Sequence, residues 1–349
     1  MMNNISLKSI KYESIKSIMT VISESDSISR ADIAAQTGLS LVTVGKIADA
    51  LLSMSIICQV KSVKAQAGRR AGLISINADM FSVIFDISSY DFKMSVLDLR
   101  LRLKDRITYT YRSDLSYIDN LNVFFAESKA LVSRKHDMSN CFGIGVAVPG
   151  PYNDTSDTVN SRKIPEIRSV NIKKALSAYF PPELVIVDSF VNAAAKSNIS
   201  HVDSYNTKNI LYWYIGNSVC GAYTVSGKLI LGKDNHTCDL GSIIQFGDLT
   251  LEDKIKLCKS QEECVDAMTG IVYNLLMVLN PHTVIMEFDT PFSCDSVLPL
   301  IKESLMKKYR LKKESMPEFI KASYRYRSSH RGLTLRLREI WLDHLVFDN

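Results

Sequence analysis

At 349 residues the chain is too long for one ordinary domain, and two or three are expected. Hydrophobic residues make up 46% and charged residues 23%, the balance of a soluble globular protein. No apolar run approaches a membrane span, and the polar N-terminus MMNNISLKSIKYESIKSIM lacks an apolar segment followed by a small-residue cleavage site, so neither a membrane anchor nor a signal peptide is expected. Seven cysteines, odd in number, widely spaced and without a C-x-x-C, point to a reduced cytoplasmic compartment with thiols serving as small core residues. The formal charge of +5 is uneven: the first 77 residues hold nine Lys/Arg against five Asp/Glu, the remainder 33 against 32. Between Asp49 and Asp79 there is no acidic residue, while Lys61, Lys64, Arg69 and Arg70 all fall there. The excess implies an anionic partner for this segment or, more simply, a solvated basic loop.

Ile15, Ile18 and Ile22 recur at helical spacing, so Lys8 to Ser23 reads as an amphipathic helix. Ser29 followed by Asp32 reads as a capping box, with Asp in place of the usual Glu, at the start of a second helix. Gly38 supplies a tight turn and Ser40 caps a third helix running to about Met54. In that helix Val44, Ile47 and Leu51 share one face, while Leu41, Val42, Thr43, Gly45 and Lys46 form the opposite one, mostly small or polar, of a kind that can enter a DNA major groove. A strand at 56–60, the basic loop KSVKAQAGRRAG and a strand at 73–76 have the layout of a wing, from which Lys64, Arg69 and Arg70 could reach phosphates or a narrow minor groove. A winged helix that binds only protein has the same parts.

After Asn77 the pattern turns to strands at 81–87, 92–99 and 101–111, a helix at 116–134, a buried strand at 141–148 ending in Pro149-Gly150-Pro151, and a strand at 184–188 leading into a helix at Asn192. A second set repeats the plan: a strand at 209–216, a hairpin turning at Ser226-Gly227, a helix from Val265 to Leu279 and a buried strand at 283–288. The last helix, from about Gly332 to Leu345, is amphipathic and is expected to pack back on the first lobe. The basic run from Lys307 to Lys313 reads as a solvated helix face.

The stretches TGLSLVTVGKIADALL, AGRRAGLISIN, FGIGVAVPGPYN, VIVDSFVNAAAKSN, GAYTVSGKLILGKDNHTCDLGS and NLLMVLNPHTVIM, in this order, resemble the ROK family of repressors, open reading frames and sugar kinases. The resemblance implies an α/β fold with an N-terminal winged helix-turn-helix followed by a two-lobed actin-like ATPase (ribonuclease H-like) domain. It implies a division into residues 1–77, a first lobe at 78–195 with the C-terminal helix packed back on it, and a second lobe at 196–331 for the effector cleft and dimerisation.

The departures from the kinase pattern carry the functional expectation. Where the family's kinases have an Asp-x-Gly-Gly-Thr phosphate loop, this chain has Asp86-Ile87-Ser88-Ser89-Tyr90. Ser218, Cys220 and Ala222 stand at the glycines of the family's second phosphate segment. The catalytic Asp that follows an Asn is replaced in the pair Ser189-Phe190, and phenylalanine accepts no proton. The family's zinc histidine is Ser242 here, after Gly241, and its cysteine run is missing, so no metal and no other cofactor is expected. The resemblance thus implies a regulator without catalytic activity. Ser40, Val42, Thr43, Lys46, Lys64, Arg69 and Arg70 would contact a pseudo-palindromic duplex operator. Asp188, Ser189, Asn192, Asn217, Asp239 and Ser242 would surround a small, possibly sugar-derived effector, and the chain would form a homodimer or homotetramer away from any membrane. An active sugar kinase and a ligand-blind dimerisation scaffold are the alternatives.

Overall fold

A computed structural model describes residues 7–60, 72–181, 184–233, 235, 237–290, 294–323 and 327–347. The chain starts with helix α1 (Leu7–Glu24), whose Ile15, Ile18, Met19 and Ile22 are buried along one stripe. A two-residue strand β1 (Ile28–Ser29) leads into α2 (Arg30–Thr37). Ser29 caps this helix as expected, with Asp32 returning a bond to the Ser29 hydroxyl and not to its backbone N–H. Ser29 Oγ accepts from the Asp32 N–H at 3.1 Å and donates to Asp32 Oδ2 at 2.6 Å. Gly38 closes α2 in the left-handed conformation at φ 70°, where a side chain would be strained. Helix α3 (Leu41–Ser53) then buries Val44, Ile47, Ala48 and Leu51. Strands β2 (Ile57–Val60) and β3 (Leu73–Ile76) complete a three-stranded antiparallel sheet in the order β1-β3-β2. The loop that joins β2 to β3, with Lys64, Arg69 and Arg70, lies outside the described residues.

Two five-stranded sheets follow, and they share one topology. The first comprises β4 (Phe81–Asp86), β5 (Phe92–Asp98), β6 (Leu103–Tyr109), β7 (Cys141–Val148) and, after the short strands β8 (Tyr152–Asn153) and β9 (Thr158–Val159), β10 (Val185–Ser189), in the order β10-β7-β4-β5-β6. The second comprises β11 (Ile210–Ile215), β12 (Val219–Val225), β13 (Lys228–Leu229) and, after the small hairpin of β14 (Ile244–Phe246) and β15 (Leu249–Thr250), β16 (Thr283–Phe288) and β17 (Glu318–Lys321), in the order β13-β12-β11-β16-β17. In each sheet a three-stranded antiparallel meander is extended on its first strand by two parallel strands. The central strands are buried along their whole length, as parallel strands covered on both faces must be. Edge strand β6 alternates, with Lys104, Arg106 and Thr108 exposed, which discourages pairing with another chain.

Helix α4 (Tyr117–Lys135) covers one face of the first sheet, where Phe124 and Phe125 meet Phe85 edge-on at 5.6 and 5.1 Å, and the short α5 (Ile172–Ser177) adds Ile172 and Leu176 to the same core. Helix α6 (Phe190–Ile199) lies between the two sheets. Helices α7 (Leu251–Leu257), α8 (Gln261–Leu279) and α9 (Cys294–Lys308) cover the outer face of the second sheet. Helix α7 and strand β17 have no counterpart among the elements expected from the sequence. Of the basic run from Lys307 to Lys313, expected to be a helix face, only Lys307 and Lys308 lie in α9, which ends there. Helix α10 (Ser328–Phe347) returns to the first sheet as expected, starting four residues earlier than read, and packs on α6, β7 and α1.

One apolar cluster runs through this return. Ile18, Ile22, Ile33, Val44 and Ile74 from the N-terminal helices and sheet share it with Ile84, Leu97, Phe142, Leu333, Leu337 and Leu342. A polar seam reinforces it: the Arg100 guanidinium donates to Asp26 Oδ1 at 3.1 Å, to the Asp26 carbonyl at 3.0 Å and to Ser75 Oγ at 2.8 Å.

Candidate functional site

The first candidate surface is the exposed side of α3. Ser40, in extended conformation, accepts from the Thr43 N–H at 3.1 Å, and the two hydroxyls meet at 2.8 Å. Both side chains are thereby turned on one another. On the face opposite the buried stripe stand Val42, 69% exposed, Leu41, 57% exposed, Gly45 and Lys46. Asp49, next along that face, is held by Arg30 from α2 at 2.6 Å. Of the residues read as DNA contacts, the structure brings Ser40, Val42, Thr43 and Lys46 to one end of one helix.

The second is a cleft of about 540 Å³ between the two sheets. It is built from strand ends: Val148-Pro149-Gly150 after β7, Ser189 and Phe190 where β10 becomes α6, Asn217 and Ser218 in the β11–β12 turn, and the segment 237–242. Such ends, where sheet topology turns, are where α/β folds bind ligands. Ser189, Asn192, Asn217, Asp239 and Ser242 all line it. Asp188 does not. Along β10 the side chains alternate, and Asp188 shares the α10 side with Ile186, where Arg336 takes its carboxylate and Asn192 Nδ2 donates to it at 3.2 Å. Burial pushes the Asp188 carboxyl up, against the pull of Arg336.

Two cations missed in the sequence cross this cleft. Arg162 donates to Asp239 and Ser242, and Lys163 donates to Glu252 at 2.7 Å and to the Asn217 carbonyl at 3.2 Å. Ser242 Oγ itself donates to Asp239 at 2.6 Å. No spacing rule ties Asn160-Ser161-Arg162-Lys163 to partners far along the chain, so no signal in the sequence could have found them. The cleft wall is apolar where Phe190 meets the Tyr214 ring edge-on at 5.0 Å.

At the end of β4, Asp86 is buried and engaged. It accepts from the Ser88 N–H at 3.0 Å, from Ser88 Oγ at 2.5 Å and from Ser329 Oγ at 3.1 Å, while His330 Nε2 stands 3.5 Å away. Burial raises its pKa, but His330 and Ser88 outweigh that and hold the carboxyl below the usual aspartate range. Across the cleft Glu287 accepts from Tyr212 and from Ser328, both at 2.7 Å, and burial pushes its carboxyl up. The residues present do not suit zinc. Burial pushes the Cys220 and Cys238 thiols up to about 12 and about 11, Ser242 offers no imidazole, and among the described residues no three His, Cys, Asp or Glu converge on one point.

Residues 126–272 match the model of the ROK family. No curated protein matches the chain. Among solved structures, a ROK family transcriptional regulator described as a homologue of the E. coli Mlc protein superposes with a TM-score of 0.73 at 13% identity, over 97% of this chain and 100% of that one. A Streptococcus pneumoniae ROK family protein in complex with sucrose gives a TM-score of 0.60 at 14% identity, over 75% of this chain and 99% of its own. A Streptomyces griseus ROK family glucokinase in complex with glucose and AMPPNP gives 0.60 at 14%, over 74% and 99%. The kinases are matched over about three quarters of this chain, the regulator over nearly all of it. The chain therefore carries a ROK family domain at residues 126–272, on a fold shared, N-terminal region included, with a ROK family transcriptional regulator.

Proposed function

We propose that the chain is a DNA-binding transcriptional regulator, a repressor, that responds to a small carbohydrate-derived ligand in the interlobe cleft and transfers no phosphoryl group. The observation that carries this reading is the uncovered N-terminal turn of α3, held on a capped helix–turn–helix of a fold shared end to end with a regulator. Two such helices in a two-fold dimer or a tetramer would read half-sites about one duplex turn apart, roughly 34 Å, in a pseudo-palindromic operator. Lys64, Arg69 and Arg70 would add phosphate or minor-groove contacts from a wing. Ligand bound between the lobes would change their angle and so the spacing of the two reading helices. Catalytic silence is supported by Asp86, whose carboxylate is taken up by its own loop and by α10, and by Phe190, which has no proton-accepting atom.

The test is binding of the purified chain to the DNA upstream of its own gene, titrated against salt. Arg69→Ala/Arg70→Ala is expected to weaken binding at least tenfold and to reduce the salt slope by about two. The likeness to a glucokinase favours a second reading, an active sugar kinase. Turnover of ATP with glucose, and no DNA binding by the folded chain at low salt, would establish that reading instead.

A further inference from the structure

The outward face of α3 is unusual for a surface that reads bases, because its first turn has almost nothing to hydrogen-bond with. Leu41 and Val42 are apolar and exposed, Gly45 has no side chain, and the hydroxyls of Ser40 and Thr43 serve the cap and each other. Asp49 is paired with Arg30, which leaves Lys46 as the cation on this face among the described residues. Among the described residues nothing covers this branched aliphatic pair. The charge of the N-terminal segment favours a polyanion: its first 77 residues carry nine Lys/Arg against five Asp/Glu.

The geometry points to direct readout of thymine by Leu41 and Val42, through apolar contact with the C5-methyl groups of two neighbouring thymines in each half-site. In the major groove the thymine methyl is the apolar feature of the base edges, while guanine offers O6 and N7 and cytosine its amino group. A Leu or Val pressed on those polar edges strips their water and returns no hydrogen bond, so the same contact that favours thymine penalises a G·C pair. Lys46, one turn further along, would lie nearer the phosphates or a guanine and set the register. This inference rests on the DNA-binding reading above and adds what the helix reads.

The experiment selects duplexes bound by the full chain from a randomised pool. Each thymine of the selected half-site is then replaced in turn by deoxyuridine, which removes the methyl and keeps every polar group. At two neighbouring positions per half-site the uridine duplex is expected to bind about four-fold more weakly, the worth of one buried methyl. Leu41→Ala and Val42→Ala, both on the surface and expected to leave the fold intact by circular dichroism, should each erase the thymine preference at one of those positions without changing the salt slope. A selected site indifferent to uridine, or a preference that survives both variants, overturns the inference and leaves DNA binding standing. A pool with no enriched sequence and no salt-dependent affinity overturns the DNA-binding reading itself, and this inference with it.

Discussion

Gly332→Ala is expected to lower stability by about 3 kcal/mol, read as a lower urea midpoint with unchanged slope. Gly332 is buried in the first turns of α10, where that helix crosses α6, and a Cβ there would lie 1.7 Å from the Ala193 carbonyl oxygen and 2.6 Å from its carbon. Both are backbone atoms of a helix, so no side chain can rotate out of the way. Helix propensity alone favours alanine over glycine by about 1 kcal/mol, and it acts on the same residue in the opposite direction. The clash prevails because relief requires α10 to move off α6, and α10 also carries Leu333 and Leu337 of the shared apolar cluster. A midpoint equal to or above that of the parent chain would show that the two helices can slide apart at little cost.

Asp86→Ala should cost about 3 kcal/mol at neutral pH, because it removes the acceptor of the buried Ser329 hydroxyl and of the half-buried Ser88, and the carboxylate that stands 3.5 Å from the buried His330 ring. Asp86→Asn keeps the volume and loses the charge, so the difference between parent and Asn variant isolates the anion. The folded carboxyl is held below the usual aspartate range, so its contribution is complete above the unfolded-state value and is lost as pH falls through the folded one. The parent's advantage over Asp86→Asn is therefore expected in full at pH 7 and should shrink below about pH 4. An advantage that grows on acidification would contradict the assignment of Asp86 as a structural anion.

The local elements of this protein were legible because their causes are local. Ser29, Gly38 and Ser40 fix the ends of α2 and α3 through bonds spanning three or four residues, and those ends appear where the sequence puts them. The continuous apolar runs at β4, β7, β11 and β16 declare buried strands in the same way. Pro299 within helix α9 masks it in the sequence, and β6 starts two residues later than the apolar pattern suggests because Leu101 turns at φ 63° ahead of the pairing. The cleft was legible only in part. Residues at strand ends fall into it, while Asp188 faces α10, because neighbouring side chains on β10 point to opposite faces of the sheet. Arg162 and Lys163 escaped because their partners, Asp239 and Glu252, are brought to them by the meeting of the two sheets.

The apolar cluster that joins the N-terminal helices to α10 bears on how this protein could be re-engineered or recombined. A reading head that folds alone can be cut from one regulator and spliced to another sensor. Here Ile18 and Ile22 of α1 share their burial with Leu337 and Leu342 near the other end of the chain, and Arg100 of the first lobe grips Asp26 and Ser75. A fragment ending at residue 77 would carry a raw apolar face into water and should aggregate, and a chimera with a foreign C-terminal part would need that part to supply a helix matching α10. Portability in this architecture belongs to α1–α3 together with α10, two segments far apart along the chain that must be exchanged as a pair.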